Sequence, residues 1–268
     1  MKKMIGALAA LTGLALSTQP ASAITAGGDP DAGEHPYVGL MVAFDADGGG
    51  WRCSGALISP TMFVTAGHCT FGAATVNVWF EEDVGAGRPG NGYPFGGGTS
   101  VSGTAYTHPE YDDAAFFLHD LGVVILDEEV FMPTYASLPT LGLLDEFANM
   151  RGPDYPTMEA VGYGLQDIQP IVVSNLVRMK ALTNVIGIRG VFGAPDGTSI
   201  KLSNNHNTGG TCFGDSGGPE FYRGSTTIGA VTSFGVNGNC AGTGGGYRID
   251  QPDDLDWLYS NLFADHVN

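Results

Sequence analysis

The sequence predicts an all-β, turn-rich protein, and three observations carry the prediction. Of its 268 residues, 42 are glycine and only 15% are charged, a composition that argues against a helical bundle. Apolar residues gather in short runs bounded by Gly-, Pro- and Asp-rich turns. A helical stripe is legible only near the carboxyl end. The length suits two small barrels or one large domain. A formal charge of -17 speaks against nucleic acid or an anionic membrane as partner, and reads as a well-solvated surface.

Lys2 and Lys3 precede an apolar run, residues 4–16, too short to span a bilayer, and Ala21-Ser22-Ala23 forms a small-x-small cleavage site. Residues 1–23 are therefore expected to be a signal peptide, with Ile24 the first residue of an exported chain. A cut after Ser17 would instead leave residues 18–23 as a short propeptide. No later run is long and apolar enough for a transmembrane helix. Four cysteines in an exported chain imply two disulfides with three possible connectivities. Pairing of near neighbours, Cys53 with Cys69 and Cys212 with Cys240, is the economical choice. A zinc site competes, against which stands the lack of any C-x-x-C pair.

Residues 37–44 alternate loosely and meet Asp45-Ala46-Asp47-Gly48-Gly49-Gly50, a hairpin signal, before a second strand in residues 53–59. Residues 62–66 form an apolar strand that runs straight into His68, next to a cysteine. Residues 81–98 are Gly-rich and acidic without apolar period and read as an enlarged surface loop. Asp120 opens the continuously apolar run of residues 121–126, a buried strand, and is well placed to accept a histidine N–H. Asp112 and Asp113 open no such strand. Residues 131–157 carry four prolines and read as a connection. Val177, Met179 and Ala181 alternate with Arg178, Lys180 and Leu182, a period-two strand except at its last position. Residues 226–234 are β-branched. Asp253-Asp254 gives an N-cap signal before the stripe Leu255, Leu258, Tyr259 and Leu262, a short helix.

The most informative stretch is Gly209-Gly210-Thr211-Cys212-Phe213-Gly214-Asp215-Ser216-Gly217-Gly218-Pro219. So much glycine and proline marks a backbone that must take unusual dihedrals or approach something closely. Ser216, flanked by glycine and preceded by a carboxylate, reads as an exposed nucleophile whose neighbouring N–H groups can hold an oxyanion. The bland alternative is a Gly-rich turn with an incidental serine.

Gly214-Asp215-Ser216-Gly217-Gly218-Pro219 resembles the nucleophile motif of the chymotrypsin/trypsin-like serine proteases. Thr65-Ala66-Gly67-His68-Cys69 is similar to that family's Thr-Ala-Ala-His-Cys, with Gly for one Ala. The strand opened by Asp120, Val161-Gly162-Tyr163-Gly164 and Ser233-Phe234-Gly235 resemble further family segments. So does the amino terminus Ile24-Thr25-Ala26-Gly27-Gly28, although Thr25 and Ala26 replace the usual Val and Gly. The resemblance covers residues 24–268 and points to a secreted, bacterial member. It implies two packed six-stranded antiparallel β-barrels with a short carboxyl-terminal helix. The barrels are expected at about 35–130 and 158–250, the linker at about 131–157 and the helix at about 253–263.

The resemblance also implies roles. Ser216 is the nucleophile, His68 the general base and Asp120 its orienting partner, while the N–H groups of Gly214 and Ser216 form the oxyanion hole. The other five histidines, His35, His108, His119, His206 and His266, have no such role. Gly210, Thr211, Ser233, Gly235 and Gly245 shape the specificity pocket. Gly210 stands where trypsin-like members carry a carboxylate, so large apolar or aromatic residues are expected at the cleavage site. Ile24 and Asp215 form the activation ion pair, and the two near-neighbour disulfides match two family bridges. The expected partners are protein or peptide substrates of a monomer that is extracellular or periplasmic. Neither cofactor nor metal is implied, although Glu81-Glu82-Asp83 is open to two readings, a solvated loop or a calcium site like that near this point in some relatives. Two other classes compete: a non-catalytic binding module on the same fold, which usually loses a triad residue, and an α/β-hydrolase, whose order is Ser, Asp, His rather than His, Asp, Ser.

Overall fold

Short β-branched and apolar runs become strands wherever a turn signal lets the chain reverse. The computed structural model describes residues 28–150, 156–205 and 208–267. The expected signal peptide and Ile24 lie outside the described residues. Six strands build the first barrel: β2 (Val38–Phe44), β3 (Gly50–Leu57), β4 (Met62–Thr65), β5 (Thr75–Trp79), β6 (Val101–Thr107) and β7 (Gly122–Leu126). Every pairing is antiparallel, in the closed order β2-β3-β4-β7-β6-β5, with β5 returning to β2. The β2–β3 hairpin is organised by Asp45, whose carboxylate accepts from Asp47 N at 2.9 Å and Gly49 N at 2.8 Å. Leu40, Met41, Leu57, Phe63, Trp79 and Val123 are buried in one hydrophobic core, which covers both faces of the sheet since Leu40 and Met41 are consecutive on β2.

The second barrel contains β8 (Thr157–Gly162), β9 (Met179–Gly187), β10 (Ser199–Asn204), β11 (Pro219–Tyr222), β12 (Ile228–Gly235) and β13 (Gly242–Arg248). These run β9-β10-β13-β12-β11-β8, and β8 pairs back with β9 to close the sheet. A two-residue strand, β1 (Asp29–Pro30), joins the β9 edge. Closure removes the exposed edges that would otherwise template pairing with another chain.

Four expectations are corrected by the packing. Arg178 is buried rather than outward-facing. It sits just before β9 and gathers acceptors from three parts of the chain: Asp31 Oδ2 at 2.9 Å, Val38 O and Phe80 O at 3.1 Å, and Tyr163 OH at 3.0 Å. Leu182 breaks the hydrophobic alternation of β9 but not its geometry, because it points to solvent in phase with Ile186. The loop of residues 81–98 is partly internal. Val84 and Asn91 are buried, Trp79 Nε1 donates to Asn91 O at 2.7 Å, and Asn91 Nδ2 donates to Val84 O at 2.8 Å.

The carboxyl-terminal helix, α2 (Pro252–Leu258), is capped by Gln251 with proline in its first turn, and neither Asp253 nor Asp254 is the cap. Asp254 is instead buried and accepts from Tyr247 OH. Because the helix ends at Leu258, Tyr259 and Leu262 leave the apolar stripe and face solvent, and Phe263 packs inward in their place.

Asp31, beside Arg178, is fully enclosed and also accepts from His35 N at 3.0 Å and lies 2.5 Å from His35 Nδ1. Burial alone would raise its pKa. The hydrogen bonds from His35 and Arg178 outweigh it and hold the carboxyl at about 2. A depressed carboxyl stabilises the fold above its unfolded value near 4 and loses that contribution as pH falls toward 2. Asp31→Asn is expected to cost about 3 kcal/mol at pH 7, since it strands a buried guanidinium. The gap to wild type in urea unfolding is expected to narrow steadily between pH 4 and pH 2. A gap independent of pH would show that the carboxylate charge is not what matters.

Candidate active site

The histidine turn begins where β4 stops. Gly67–Thr70 makes a single helical turn, α1, whose Cys69 is bridged to Cys53 of β3. Trp51 Nε1 donates to Cys69 O at 2.8 Å and pins the turn from the other side. Asp120 lies just before β7 and is completely buried. A buried carboxylate must be surrounded by donors. Its donors are His68 N at 2.8 Å, His68 Nδ1 at 2.9 Å and Ser233 Oγ at 2.6 Å. Burial disfavours a protonated His68. The charge and hydrogen bonding of Asp120 outweigh that, so the imidazole pKa is held above its ordinary value.

The nucleophile turn lies between the bridge Cys212–Cys240 and β11. Asp215 points inward, accepting from Gly164 N at 2.7 Å and Cys212 N at 2.9 Å. Burial pushes its pKa up to about 6, against the pull of those two N–H bonds and of Arg52. The backbone then sorts its donors. Asp215 N, Gly217 N and Gly218 N each donate to a backbone carbonyl, those of Cys212, Thr232 and Asp215. Gly214 N and Ser216 N donate to no acceptor among the described residues, nor does Ser216 Oγ or His68 Nε2 have a hydrogen-bond partner there. Two N–H groups beside one hydroxyl are thus left for an incoming oxygen.

Glycine is required here by geometry. Gly214 has φ +98° and Gly217 has φ +75°, conformations that side-chain-bearing residues rarely hold. A Cβ on Gly217 would fall 2.0 Å from Thr65 Oγ1 and 2.7 Å from Ala66 N, so the nucleophile turn lies directly against the chain that leads into His68. Ser54 of β3, not singled out by sequence reasoning, locks the same contact. Ser54 N donates to Ser216 O at 2.8 Å and Ser54 Oγ to Gly214 O at 2.9 Å.

A cleft of about 170 Å³ opens beside Ser216, bounded by Thr211, Thr232, Ser233, Phe234 and Gly235. Gly210 and Gly245 do not line it. Gly210 is covered by Asn204, whose Nδ2 donates to Thr211 O at 2.9 Å, and Gly245 lies under the Phe234 ring. Phe234 of the cleft lining begins a chain of rings: it meets Phe192 at 5.6 Å, Phe192 meets Phe117 at 5.3 Å, and Phe117 meets Phe116 at 5.6 Å between ring centroids. No sequence signal joined these rings, because they come from three distant parts of the chain: Phe116 and Phe117 before β7, Phe192 between β9 and β10, and Phe234 on β12. A larger cavity of about 690 Å³ beside Arg189, Lys201 and Arg248 contains none of these groups.

The remaining histidines are occupied elsewhere. His35 serves Asp31, and His266 Nδ1 meets Thr61 Oγ1 at 2.8 Å. His108 and His119 stack at 5.2 Å near Asp253 and Asp254, and His206 lies outside the described residues. His108 Nδ1 already accepts from Glu110 N, which leaves the neutral ring's proton on Nε2, facing Asp254 at 3.9 Å. Cys53 and Cys69 flank His68 but are bonded to each other and offer no thiolate. In the acidic segment, Glu81 accepts from Thr99 Oγ1 and Asp83 from Ala86 N, and the three carboxylates form no metal-spaced group among the described residues.

Comparison with known proteins bears on the fold and the family. A family model described as Trypsin matches residues 24–257. Brachyurin of Leptuca pugilator is 29% identical over 70% of this chain and 77% of its own. Glutamyl endopeptidase of Bacillus licheniformis is 27% identical over 71% of this chain and 60% of its own. The solved structure of HL collagenase superposes with a TM-score of 0.68 at 20% identity, covering 88% of this chain and 97% of its own. With two closed barrels and a family match across most of its length, this chain belongs to the trypsin family and is a serine endopeptidase.

Proposed function

We propose that the chain is a secreted endopeptidase that cleaves through Ser216, His68 and Asp120 and prefers large apolar or aromatic residues at the cleavage site. The observation that carries this reading is the Asp120 carboxylate, shared between His68 Nδ1 and Ser233 at the edge of the cleft that holds Ser216. Held by Asp120, His68 keeps its proton on Nδ1 and presents the Nε2 lone pair. Ser216 Oγ attacks the scissile carbonyl carbon while Nε2 takes the hydroxyl proton. The carbonyl oxygen becomes an oxyanion held by Gly214 N–H and Ser216 N–H. Collapse expels the amine, which leaves with the proton from His68, and an acyl-enzyme remains. Water then attacks, gives a proton to His68, and the acid departs as Ser216 Oγ recovers that proton. Ser216→Ala or His68→Ala is expected to lower kcat by about 10⁴–10⁶-fold, and the double variant by little more than either. Wild-type turnover of the purified Ser216→Ala protein would overturn the assignment.

Secretion is supported by the expected signal peptide and the two disulfides, and no helix among the described residues is long and apolar enough to cross a membrane. The cleft lining offers no formal charge and includes Phe213 and Phe234, the latter packed against Phe192. At neutral pH, kcat/KM for a substrate with Phe at the cleavage site is expected to exceed that for its Arg counterpart by roughly tenfold or more. Faster cleavage after Arg would refute this preference.

Asp215 is a buried acid in need of a cation, and we assign that role to the Ile24 ammonium, freed by signal-peptide removal without a dedicated activating protease. Mass spectrometry of the secreted protein is expected to find Ile24 first. A form with one extra residue before Ile24 should fold yet lose about 10²–10³-fold in kcat, the size of losing an oxyanion donor. An ammonium stabilised by a carboxylate has its folded pKa raised above ~8, so the active form persists below that value and is lost as pH rises through it. Full activity of the extended form would remove Ile24 from the mechanism.

A further inference from the structure

Glu220 has no part in the chemistry above, yet it is fully buried inside the second barrel. It lies on β11, paired with Ala160 of β8 and Ala230 of β12, and beneath Gly246 of β13. Thr232 Oγ1 donates to its Oε1 at 3.0 Å, and its Oε2 is buried with no hydrogen-bond partner among the described residues. A half-satisfied interior carboxyl is costly and calls for an explanation. Thr232 supplies one. It lines the cleft, and its backbone is tied twice to the nucleophile turn, through Gly217 N to Thr232 O at 2.8 Å and Thr232 N to Gly218 O at 2.9 Å.

We propose that Glu220 is a specificity-determining residue that acts from behind Thr232, setting the polarity of the inner cleft wall and so making the preferred residue at the cleavage site depend on pH. This rests on the cleft being the primary pocket beside Ser216. When the carboxyl is neutral, its O–H can donate to Thr232 Oγ1, and the threonine O–H is free to turn toward the substrate. When it is ionised, the threonine O–H must donate back to the carboxylate. The substrate then meets only acceptor lone pairs with a negative charge behind them. The neutral state suits apolar side chains and acceptors, whereas the ionised state favours cations and donors.

The switch falls in a useful range. Burial pushes the Glu220 carboxyl up to about 8, Thr232's hydrogen bond opposes that, and the Asp215 charge adds to it. Asp215 is the one titratable group acting on it among the described residues, since Ala160, Ala230 and Gly246 of the flanking strands bring none. Burial pushes Asp215 itself up to about 6, and the Ile24 ammonium proposed to pair with it would pull it lower, so it stays ionised across the range that matters. A carboxylate behind the wall also sets this cleft against acidic side chains, whatever the name of its glutamyl endopeptidase relative says of that protein.

The test uses two peptide substrates identical except for Arg or citrulline at the cleavage site, a pair of matched shape that differs in charge. Titration of His68 or loss of the Ile24 pairing changes the fraction of competent enzyme equally for both, so it cancels in the ratio of their kcat/KM values. In wild type the Arg/citrulline ratio is expected to rise roughly tenfold between pH 6.5 and 9.5 with a midpoint near 8, the order expected of one charge acting over several ångströms. In Glu220→Gln the ratio is expected to stay flat, while in Thr232→Val the rise is expected to persist with its midpoint moved to higher pH, because the hydrogen bond that favours the ionised carboxyl is gone. A flat ratio in wild type, or a rise that survives Glu220→Gln, overturns the proposal. If Glu220→Gln does not fold, the wild-type profile and Thr232→Val decide it. Labelling by a serine-directed phosphonate separates the two readings. Labelling at Ser216 with a flat ratio removes the role of Glu220 alone, while absent labelling and absent turnover removes the site itself.

Discussion

A carboxylate sealed from water and without a cation survives only inside a ring of donors, and Asp120 is held in that way. Two of its three donors come from the histidine turn of the first barrel and the third, Ser233, from a strand of the second. The two sheets must therefore meet in one register for the acid to be tolerated at all. The Cys53–Cys69 bridge fixes the histidine turn within the first barrel, and the seat of Gly217 on Ala66 fixes the second barrel against it, so both protect that ring of hydrogen bonds. The same ring keeps the imidazole oriented, so the cost of burying Asp120 and the chemistry of His68 have one cause.

Two further residues hold the barrels in that alignment. Ser54 bonds across the interface with both its backbone and its hydroxyl, and Arg178 gathers the amino-terminal segment, the first barrel and Tyr163 around one guanidinium. Buried ionic groups of this kind add little net stability compared with an apolar filling, but losing one partner is expensive. They specify an arrangement more than they strengthen it.

The sequence was legible where function is written in consecutive residues. The Gly-rich nucleophile turn, the histidine next to a cysteine, and an aspartate opening an apolar strand each form a local pattern that backbone chemistry demands. The near-neighbour disulfides were one of three possible connectivities, favoured by economy and by the family resemblance, and the structure has that pairing. Arg178, Glu220, Ser54 and Asn204 were not legible, because nothing around them in the chain reveals the partner that arrives from far along it. Arg178 even falls on the outward phase of its strand pattern. The helix stripe misled for a related reason. Periodicity continued past Leu258, but the backbone left helical geometry there, so Leu262 is exposed and Phe263 is the residue that packs. The acidic loop looked solvated because Asn91 and Val84, which fold it inward, have no periodic neighbours.

The chain of aromatic rings has a consequence for how such an enzyme can change. The groups proposed to make and break bonds, Ser216, His68 and Asp120, stand on turns pinned by disulfides and at the mouth of a barrel strand. Phe116, Phe117 and Phe192 stand instead on segments between strands, where their rings pack on one another and, through Phe192, on Phe234 of β12. Replacing those loops would alter which peptides settle along the cleft while leaving the Asp120 ring intact. Recognition and catalysis are therefore separable traits in this molecule, inherited by different parts of the chain and free to diverge at different speeds.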